Sequence, residues 1–273
     1  MSIFHRLFSQ RASRAAYQFL LEDWTRIRDL DALSSVLSTQ RFSGQRTPLV
    51  RGGPTAERTL VFSPHPDDDT FGCGGALLHA RRNGATVHVV YVTSGERDGL
   101  GGDIREGEAR RVATALGATV EFWHYPTRSI PIGTESVERM RHTIAVQRPG
   151  AIFLPFLADD HPDHRRVAEL FASAFHDAPA PDAEVWAYQV YSTVLLNVVM
   201  DVTDVMEEKL QLVRMWESEM AHRDWVHYIH GLNAFNSRSL RTKEPRYAEH
   251  YFVVPAHEYI ALCGQYFPGV AAR

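Results

Sequence analysis

The sequence contains few lysines, few cysteines and no long apolar run. Of its 29 basic residues only Lys209 and Lys243 are lysines, and the formal net charge of −4 gives no sign of a nucleic-acid partner. Two cysteines, Cys73 and Cys263, cannot build a disulfide framework, which favours a reducing, cytoplasmic compartment. No apolar run approaches the ~18 residues that a membrane-spanning helix needs. A disulfide scaffold, a membrane-spanning protein and a basic nucleic-acid binder are therefore all disfavoured.

The first 57 residues differ in pattern from the rest of the chain. Apolar residues 3, 4, 7 and 8 lie on one side of a predicted helix, with arginines interleaved. Residues 40–58 are polar, carry glycine and proline, and show no period, as a connector does. We expect residues 1–57 to be an N-terminal helical extension and connector. Because a basic amphipathic helix can lie on a membrane surface, peripheral membrane contact is the alternative to docking on the domain.

From residue 58 onward, apolar strands alternate with helices. This alternation predicts an α/β, Rossmann-like domain over 58–273, with a mostly parallel sheet and helices on both faces. Beyond residue 180 the pattern loosens, and the amide-rich segment 231–241 is interpreted as either a polar loop or part of a sugar pocket. The predicted strands are TLVFSPH, VHVVYVTSG, TVEFW, AIFLPF, EVWAYQVYS, VVMDVT and YAEHYFVV, and the clearest predicted helices cover 72–84, 105–117, 134–147 and 164–176.

Polar, charged segments follow three of the predicted strands. They are PHPDDD after the first strand, TSGERDG after the second and LADDHPDH after the fourth. Ligands bind beyond the carboxyl ends of the strands in open parallel sheets, so these segments are expected to meet in one crevice. Adjacent glycines 72, 74 and 75 are expected to let the following helix pack closely, and their amides to help bind an anion.

The first and third of these segments carry candidate metal ligands. His65 and Asp68 are three residues apart on a tight turn, and His161 and His164 have the same spacing. Two histidines and one carboxylate are a common ligand set for catalytic zinc, which leaves a position open for water. A bound dication also explains why three successive carboxylates coexist. The residues alone do not decide which histidine of the second pair binds the metal.

Hydrolysis needs more than metal ligands. Asp67 points the other way along the turn from Asp68 and is a candidate general base toward the activated water. The histidine of HPDH that does not bind metal is a candidate for stabilising the oxyanion or protonating the leaving amine. Asp163 is a candidate for orienting that histidine by accepting its second ring proton.

The two motifs together resemble a known family. PHPDDDTFGCGG, followed about ninety residues later by HPDHRRV, is similar to the LmbE-like, or PIG-L, de-N-acetylases. These are zinc-dependent enzymes that remove acetyl groups from N-acetylglucosamine-type substrates. The resemblance implies one zinc ion per chain, bound by His65, Asp68 and His164.

The same resemblance implies roles for the remaining candidates. Asp67 is the expected general base, and His161 the expected partner of the oxyanion, supported by Asp163. Arg97, in a segment similar to the family's T-x-GE segment, is the candidate for binding substrate oxygens. The expected substrate is a small molecule or glycolipid with an N-acetyl amino sugar. Two residues depart from the family pattern, Asp69 for its glutamate and Pro64 for its alanine, and the loop before HPDH lacks the tyrosine that some members carry.

Two other functions remain open. The first is a non-catalytic, sugar-binding member of the same family. The second is a phosphatase with an aspartate nucleophile, which a strand followed by DDDT also suggests. That second pattern requires a lysine near a later acidic motif, and neither Lys209 nor Lys243 has such a context.

Overall fold

The computed structural model of the protein describes residues 35, 39, 48–96, 101–191 and 194–271. The predicted N-terminal helices therefore lie outside the described residues. Within the described ranges, eight strands form one sheet. They are β1 Leu49–Val50, β2 Arg58–Ser63, β3 Thr86–Thr93, β4 Thr119–Tyr125, β5 Ala151–Pro155, β6 Glu184–Tyr188, β7 Val198–Asp201 and β8 Ala248–Pro255.

Helices follow most of these strands. In the part of the chain that the structure describes, none of them is long and apolar enough to cross a membrane. They are α1 Asp68–Arg82, α2 Gly102–Leu116, α3 Thr134–Gln147, α4 Pro162–Phe175, α5 Met206–Arg214, α6 Glu217–Met220, α7 Trp225–Asn236, α8 Ala256–Tyr266 and α9 Pro268–Ala271, with short 3-10 helices at Thr203–Val205 and Ser237–Leu240.

The sheet has the order β1-β7-β8-β6-β5-β2-β3-β4. Strands β4, β3, β2, β5 and β6 run parallel, while β8 is antiparallel to both β6 and β7. After β2 the chain continues on one side of that strand, to β3 and β4, and it then returns to the other side as β5. This change of direction opens a crevice between β2 and β5, where doubly wound sheets bind ligands.

Both faces of the sheet are covered, as the alternation of strands and helices predicts. Leu60 and Phe62 of β2 pack into one apolar core with residues of α3, α4 and α8. Val61, between them, packs into a second core with residues of α1, α2 and α5. Successive side chains of a strand point to opposite faces, so a continuous apolar run is what a strand buried on both faces requires. The predicted fold class is confirmed.

Two segments differ from their sequence interpretation. Residues 49–50, inside the expected connector, form the edge strand β1 and pair in parallel with Val198 and Val199. Segment 231–241, interpreted as a loop or sugar pocket, is the end of α7 and a 3-10 helix. Its amides are buried in the fold: Asn233 donates to the Ala248 carbonyl and Asn236 to Gln189. An amide-rich segment favours a loop prediction, because the sequence alone does not show the buried partners of its amides.

Helix α1 is bent at Cys73, whose backbone has φ −137° and ψ 15°. The bend lets neighbouring chain approach closely. A Cβ at Gly72 would lie 2.3 Å from the Tyr188 ring, and one at Gly75 would lie 2.5 Å from Val202. The expected close packing of the glycines is therefore confirmed.

A buried ion pair holds this bend. The amides of Gly75 and Ala76 donate to the Glu249 carboxylate at 2.7 and 2.9 Å. Lys209 Nζ donates to the same carboxylate at 2.7 Å and to the Phe71 carbonyl at 3.1 Å. The anion at the glycine amides is thus a side chain of the protein itself.

Candidate active site

The three polar segments meet at the carboxyl edge of the parallel strands. A cavity of about 680 Å³ opens there and is lined by residues from each of them. His65 and Asp67 come from the loop after β2, Gly95 and Glu96 from the loop after β3, and His161 from the loop after β5. The predicted convergence of the three strand exits is confirmed.

The loop after β2 is fixed by its own side chains. The backbone N–H of His65 donates to Asp68 Oδ2 at 3.0 Å, and the N–H of Asp69 donates to Ser63 Oγ, also at 3.0 Å. These bonds close the turn that leads from β2 into α1. Asp67 lies at the apex with φ 125°, a backbone conformation that favours glycine. Strained residues of this kind cluster at functional sites.

His65, Asp68 and His164 form the centre of the site. Asp68 Oδ2 lies 3.0 Å from His65 Nδ1 and 3.1 Å from His164 Nε2. The His164 Nδ1 lies 3.1 Å from Asp159 Oδ1. Asp68 and His164 are fully buried, and His65 is 8% exposed at the cavity wall. The three side chains expected to bind zinc are thus in mutual contact.

These residues fit a divalent cation. Although carboxylates surround His164, neither of its ring nitrogens makes a hydrogen bond of good geometry, and Asp68 Oδ1 has no partner. Buried polar atoms without partners are rare and costly, unless an ion completes the site. Ligand atoms of His65, His161 and His164 also lie within 4.8 Å of one another. His161, expected at the oxyanion, is therefore close enough to be a fourth candidate ligand.

The charges of the cluster shift its pKa values. Burial disfavours the charged imidazole, but the carboxylates of Asp68 and Asp159 outweigh it and raise the pKa of His164 to about 10. Burial also opposes ionisation of Asp68, yet contact with His164 and His65 lowers its pKa. Burial, with repulsion from His65 and His164, lowers the pKa of His161 to about 4. The centre thus concentrates negative charge around imidazoles, as a cation site does.

Asp163 contacts a different histidine from the one expected. Its Oδ2 lies 2.9 Å from His65 Nε2 and accepts the backbone N–H of Arg128 at 2.8 Å. Toward His161 it is the backbone N–H of Asp163 that donates, to ring Nδ1 at 3.2 Å, which also caps the start of α4. The structure therefore places the carboxylate beside His65, and the link to His161 runs through the main chain.

Asp69 is directed away from the cavity. Its carboxylate accepts the Tyr91 hydroxyl at 3.1 Å, and burial raises its pKa to about 7. The aspartate that replaces the family's glutamate thus lies among residues of the fold, directed away from the candidate metal ligands. Arg97, the candidate for binding substrate oxygens, lies outside the described residues, so its role stays a prediction.

Three cavity residues have no counterpart in the sequence interpretation. Arg105 donates to Asp67 Oδ2 at 2.7 Å, and Glu219 pairs with Arg105 at 3.1 Å. Tyr191 places its ring 6.1 Å from the His161 ring and 5.3 Å from the His164 ring. A tyrosine therefore lies beside the histidines even though the loop before HPDH has none. Its hydroxyl-bearing ring comes from the segment after β6.

Comparison with known proteins agrees with this arrangement. The family described as PIG-L, GlcNAc-PI de-N-acetylase, matches residues 60–175, the span that carries both histidine–aspartate motifs. Residues 60–175 are therefore similar to the PIG-L family. The diacetylchitobiose deacetylase of Thermococcus kodakarensis is 26% identical over 223 residues, which cover 73% of this chain and 84% of that protein.

Solved structures of other proteins share this fold. The N,N'-diacetylchitobiose deacetylase of Pyrococcus horikoshii aligns with a TM-score of 0.63 at 24% identity, covering 75% of this chain and 86% of that one. The 4-carboxy-2-hydroxymuconate hydratase from Pseudomonas putida aligns with a TM-score of 0.60 at 21% identity, covering 72% and 95%. Because a deacetylase and a hydratase share the fold, the reaction has to be argued from the site.

Proposed function

We propose that the protein is a zinc-dependent N-deacetylase that removes the acetyl group from an N-acetylglucosamine-type sugar. The observation that carries the proposal is the buried His65–Asp68–His164 cluster, which leaves polar atoms without partners at the edge of a polar cavity. The match of residues 60–175 to the PIG-L family and a deacetylase relative aligned over most of its length support the same reaction.

One zinc ion per chain is held by His65, Asp68 and His164 in this proposal. Zinc, when bound, polarises the acetamide carbonyl and makes water acidic enough to attack it at neutral pH. These residues would hold the ion: His164 and Asp68 are fully buried, and His65 lines the cavity from which a substrate would reach it. We do not assign His161 as a zinc ligand, because its ring is proposed to donate a hydrogen bond to the oxyanion.

His161 supplies a hydrogen-bond donor to the oxyanion. Its Nδ1 accepts the backbone N–H of Asp163, so the neutral ring carries its proton on Nε2. That proton is available to an oxygen that becomes negative during attack. Asp163 serves both rings, since its N–H orients His161 and its carboxylate orients His65.

Asp67 is the proposed general base. Its Oδ2 is engaged by Arg105, which leaves the other oxygen for the proton of the attacking water. Asp67 is 4% exposed and lines the same cavity as His65 and His161. The products are acetate and the free amine of the sugar.

A screen of N-acetylated amino sugars and their glycosides, following acetate release with zinc present, tests the proposal. Asp67→Asn is expected to keep the zinc and to lower kcat by roughly 10²–10⁴-fold, the usual contribution of a general base. Asp177→Asn, an exposed change just after α4, is the matched control and is expected to behave as the parent.

The outcomes separate the alternatives. A parental chain that binds zinc and sugars but releases no acetate supports a non-catalytic sugar-binding protein. Magnesium-dependent phosphate release would support the aspartate-nucleophile phosphatase. Asp67→Asn working at the parental rate would refute the base assignment alone.

Location and partners remain predictions. Cys73 and Cys263 are buried free thiols, and a cytoplasmic location is our proposal. We propose a small-molecule amino-sugar substrate in that compartment. Membrane contact through the N-terminal helix falls on residues outside the described ranges.

A further inference from the structure

Arg105, at the start of α2, ties together the two loops that form one wall of the site. One guanidinium nitrogen donates to Asp67 Oδ2 at 2.7 Å and also to the Pro66 carbonyl. The other terminal nitrogen donates to the Gly95 carbonyl at 3.0 Å. Arg105 is only 8% exposed, so these bonds are little screened by water. A single side chain therefore fixes both the carboxylate of Asp67 and the backbone next to it.

Gly95 leaves room for this guanidinium. Its φ is +64°, and a Cβ there would lie 2.7 Å from the Arg105 Cζ and Nη1 atoms. Glycine is thus required both by the backbone conformation and by the closeness of the arginine. The loop after β3 is shaped to admit Arg105.

Glu219 holds Arg105 from the opposite side. Its Oε1 lies 3.1 Å from Arg105 Nη1, and the residue is 5% exposed. The short helix α6 that carries Glu219 is itself docked on α2, because Ser218 donates its N–H and hydroxyl to Glu108 at 2.8 and 2.6 Å. Glu219 lies beyond the residues 60–175 that match the family. A residue outside the matched span therefore completes this wall.

We infer that Arg105 is a positioning residue for Asp67, and that Glu219 positions Arg105 in turn. This inference rests on the proposed role of Asp67 as general base. The guanidinium binds Asp67 Oδ2 and the adjoining Pro66 carbonyl, so it fixes the carboxylate of a residue that lines the cavity. A base displaced by about 1 Å can lose about 100-fold in rate, which sets the expected scale.

Arg105→Gln is the first variant to measure. It is expected to lower kcat about 100-fold, to change KM less than about 3-fold and to leave one zinc per chain, because no proposed metal ligand is touched. Arg111→Gln is the matched control: it lies on the same helix and its exposed pair with Glu217, at 3.7 Å, joins the same two elements. That control is expected to keep the parental rate.

Two further measurements distinguish positioning from a general structural role. Millimolar guanidinium chloride is expected to restore part of the rate of Arg105→Ala, while methylammonium restores less because it lacks the planar fork. Glu219→Gln can still accept from Arg105 and is expected near the parental rate, while Glu219→Ala is expected to lose about 10-fold in kcat. A crystal structure of Arg105→Gln is expected to show the Asp67 side chain moved from its place.

The outcomes also separate this inference from the proposed function. If the parental protein releases no acetate from any substrate, the proposed function fails before the variants are compared. If it does, and Arg105→Gln keeps the parental kcat or loses its zinc together with its rate, the positioning role is overturned. Should Arg105→Ala and Arg105→Gln both fail to fold, the pair Glu219→Gln and Glu219→Ala decides, and equal rates for the two overturn the inference.

Discussion

Helix α1 contacts two buried groups of charged side chains, one at its first turn and one at its bend. At the first turn, Asp68 and His164 are fully buried, yet Asp68 Oδ1 and both His164 ring nitrogens lack hydrogen bonds. At the bend, Lys209 and Glu249 are as deeply buried, and each has several partners. The two groups are thus buried to a similar degree, but only the group at the bend has its hydrogen bonds satisfied.

We interpret the difference as one of role. The first-turn group is suited to chemistry, and the Lys209–Glu249 pair to stabilising the fold. Lys209 donates to Phe71, Asn233 and Glu249, and this number of bonds matches the three protons of an ammonium group. Removing one member of such a pair strongly lowers the free energy of unfolding, because the other charge stays buried without a partner. The group at the first turn keeps polar atoms without hydrogen bonds despite its nearby charges, and it is therefore suited to binding an ion.

Replacing His164 by alanine tests the first-turn group and has the largest expected effect. Loss of a ligand that supports Lewis-acid catalysis worth several kcal/mol is expected to remove the zinc and to lower activity by at least about 10³-fold. Metal analysis and acetate release measure both. His176→Ala, an exposed histidine just after the same helix, is the control. Full zinc content in His164→Ala would show that the ion is bound elsewhere.

Replacing Lys209 by methionine tests the group at the bend and is expected to act on stability. The charge of Glu249 is left without its cation, so the free energy of unfolding is expected to fall by about 3–5 kcal/mol. Urea unfolding measures this loss, and the fraction that remains folded is expected to keep its zinc. The other lysine offers the control, Lys243→Met, because it is exposed. An unchanged urea midpoint would contradict the structural role of the pair.

His250, next to Glu249 on β8, makes stability depend on pH. This is the smallest of the effects that we expect. Burial, aided by repulsion from Arg238, lowers the pKa of His250 to about 4, from an ordinary value of 6.5. The unfolded chain therefore binds the extra proton between these values, and the free energy of unfolding falls as pH falls through that window. The slope is at most about 1.4 kcal/mol per pH unit.

The variant His250→Gln is expected to flatten the dependence of stability on pH between about 4 and 6.5. Urea unfolding at several pH values measures it, with exposed His257→Gln as the control. Parallel curves for the parent and His250→Gln would show that another group is responsible.

Local patterns made much of the fold and the centre of the site predictable. Helix 134–147 was predicted with the bounds the structure has, because its apolar period and flanking turns are local signals. His65, Asp68, His161 and His164 could be brought together because each follows a strand of one parallel sheet. The shared carboxyl edge supplies the long-range information that the sequence lacks.

The missed residues depend on contacts between distant parts of the chain. Arg105 reads as the first residue of an ordinary amphipathic helix, and its partner Asp67 lies 38 positions earlier. Glu249 binds the amide of Gly75 across 174 positions. The local spacing of apolar residues gives no information about such pairs. A buried ion pair between two helices or strands becomes visible only when their relative placement is known.

The left-handed backbone of Asp67 sets folding against catalysis at one residue. An L-residue held there costs of order 1–3 kcal/mol, and a glycine would adopt φ 125° without that cost. Replacing Asp67 by glycine is therefore expected to raise the thermal stability of the fold. If Asp67 is the general base that we propose, the same change is expected to remove most of the activity.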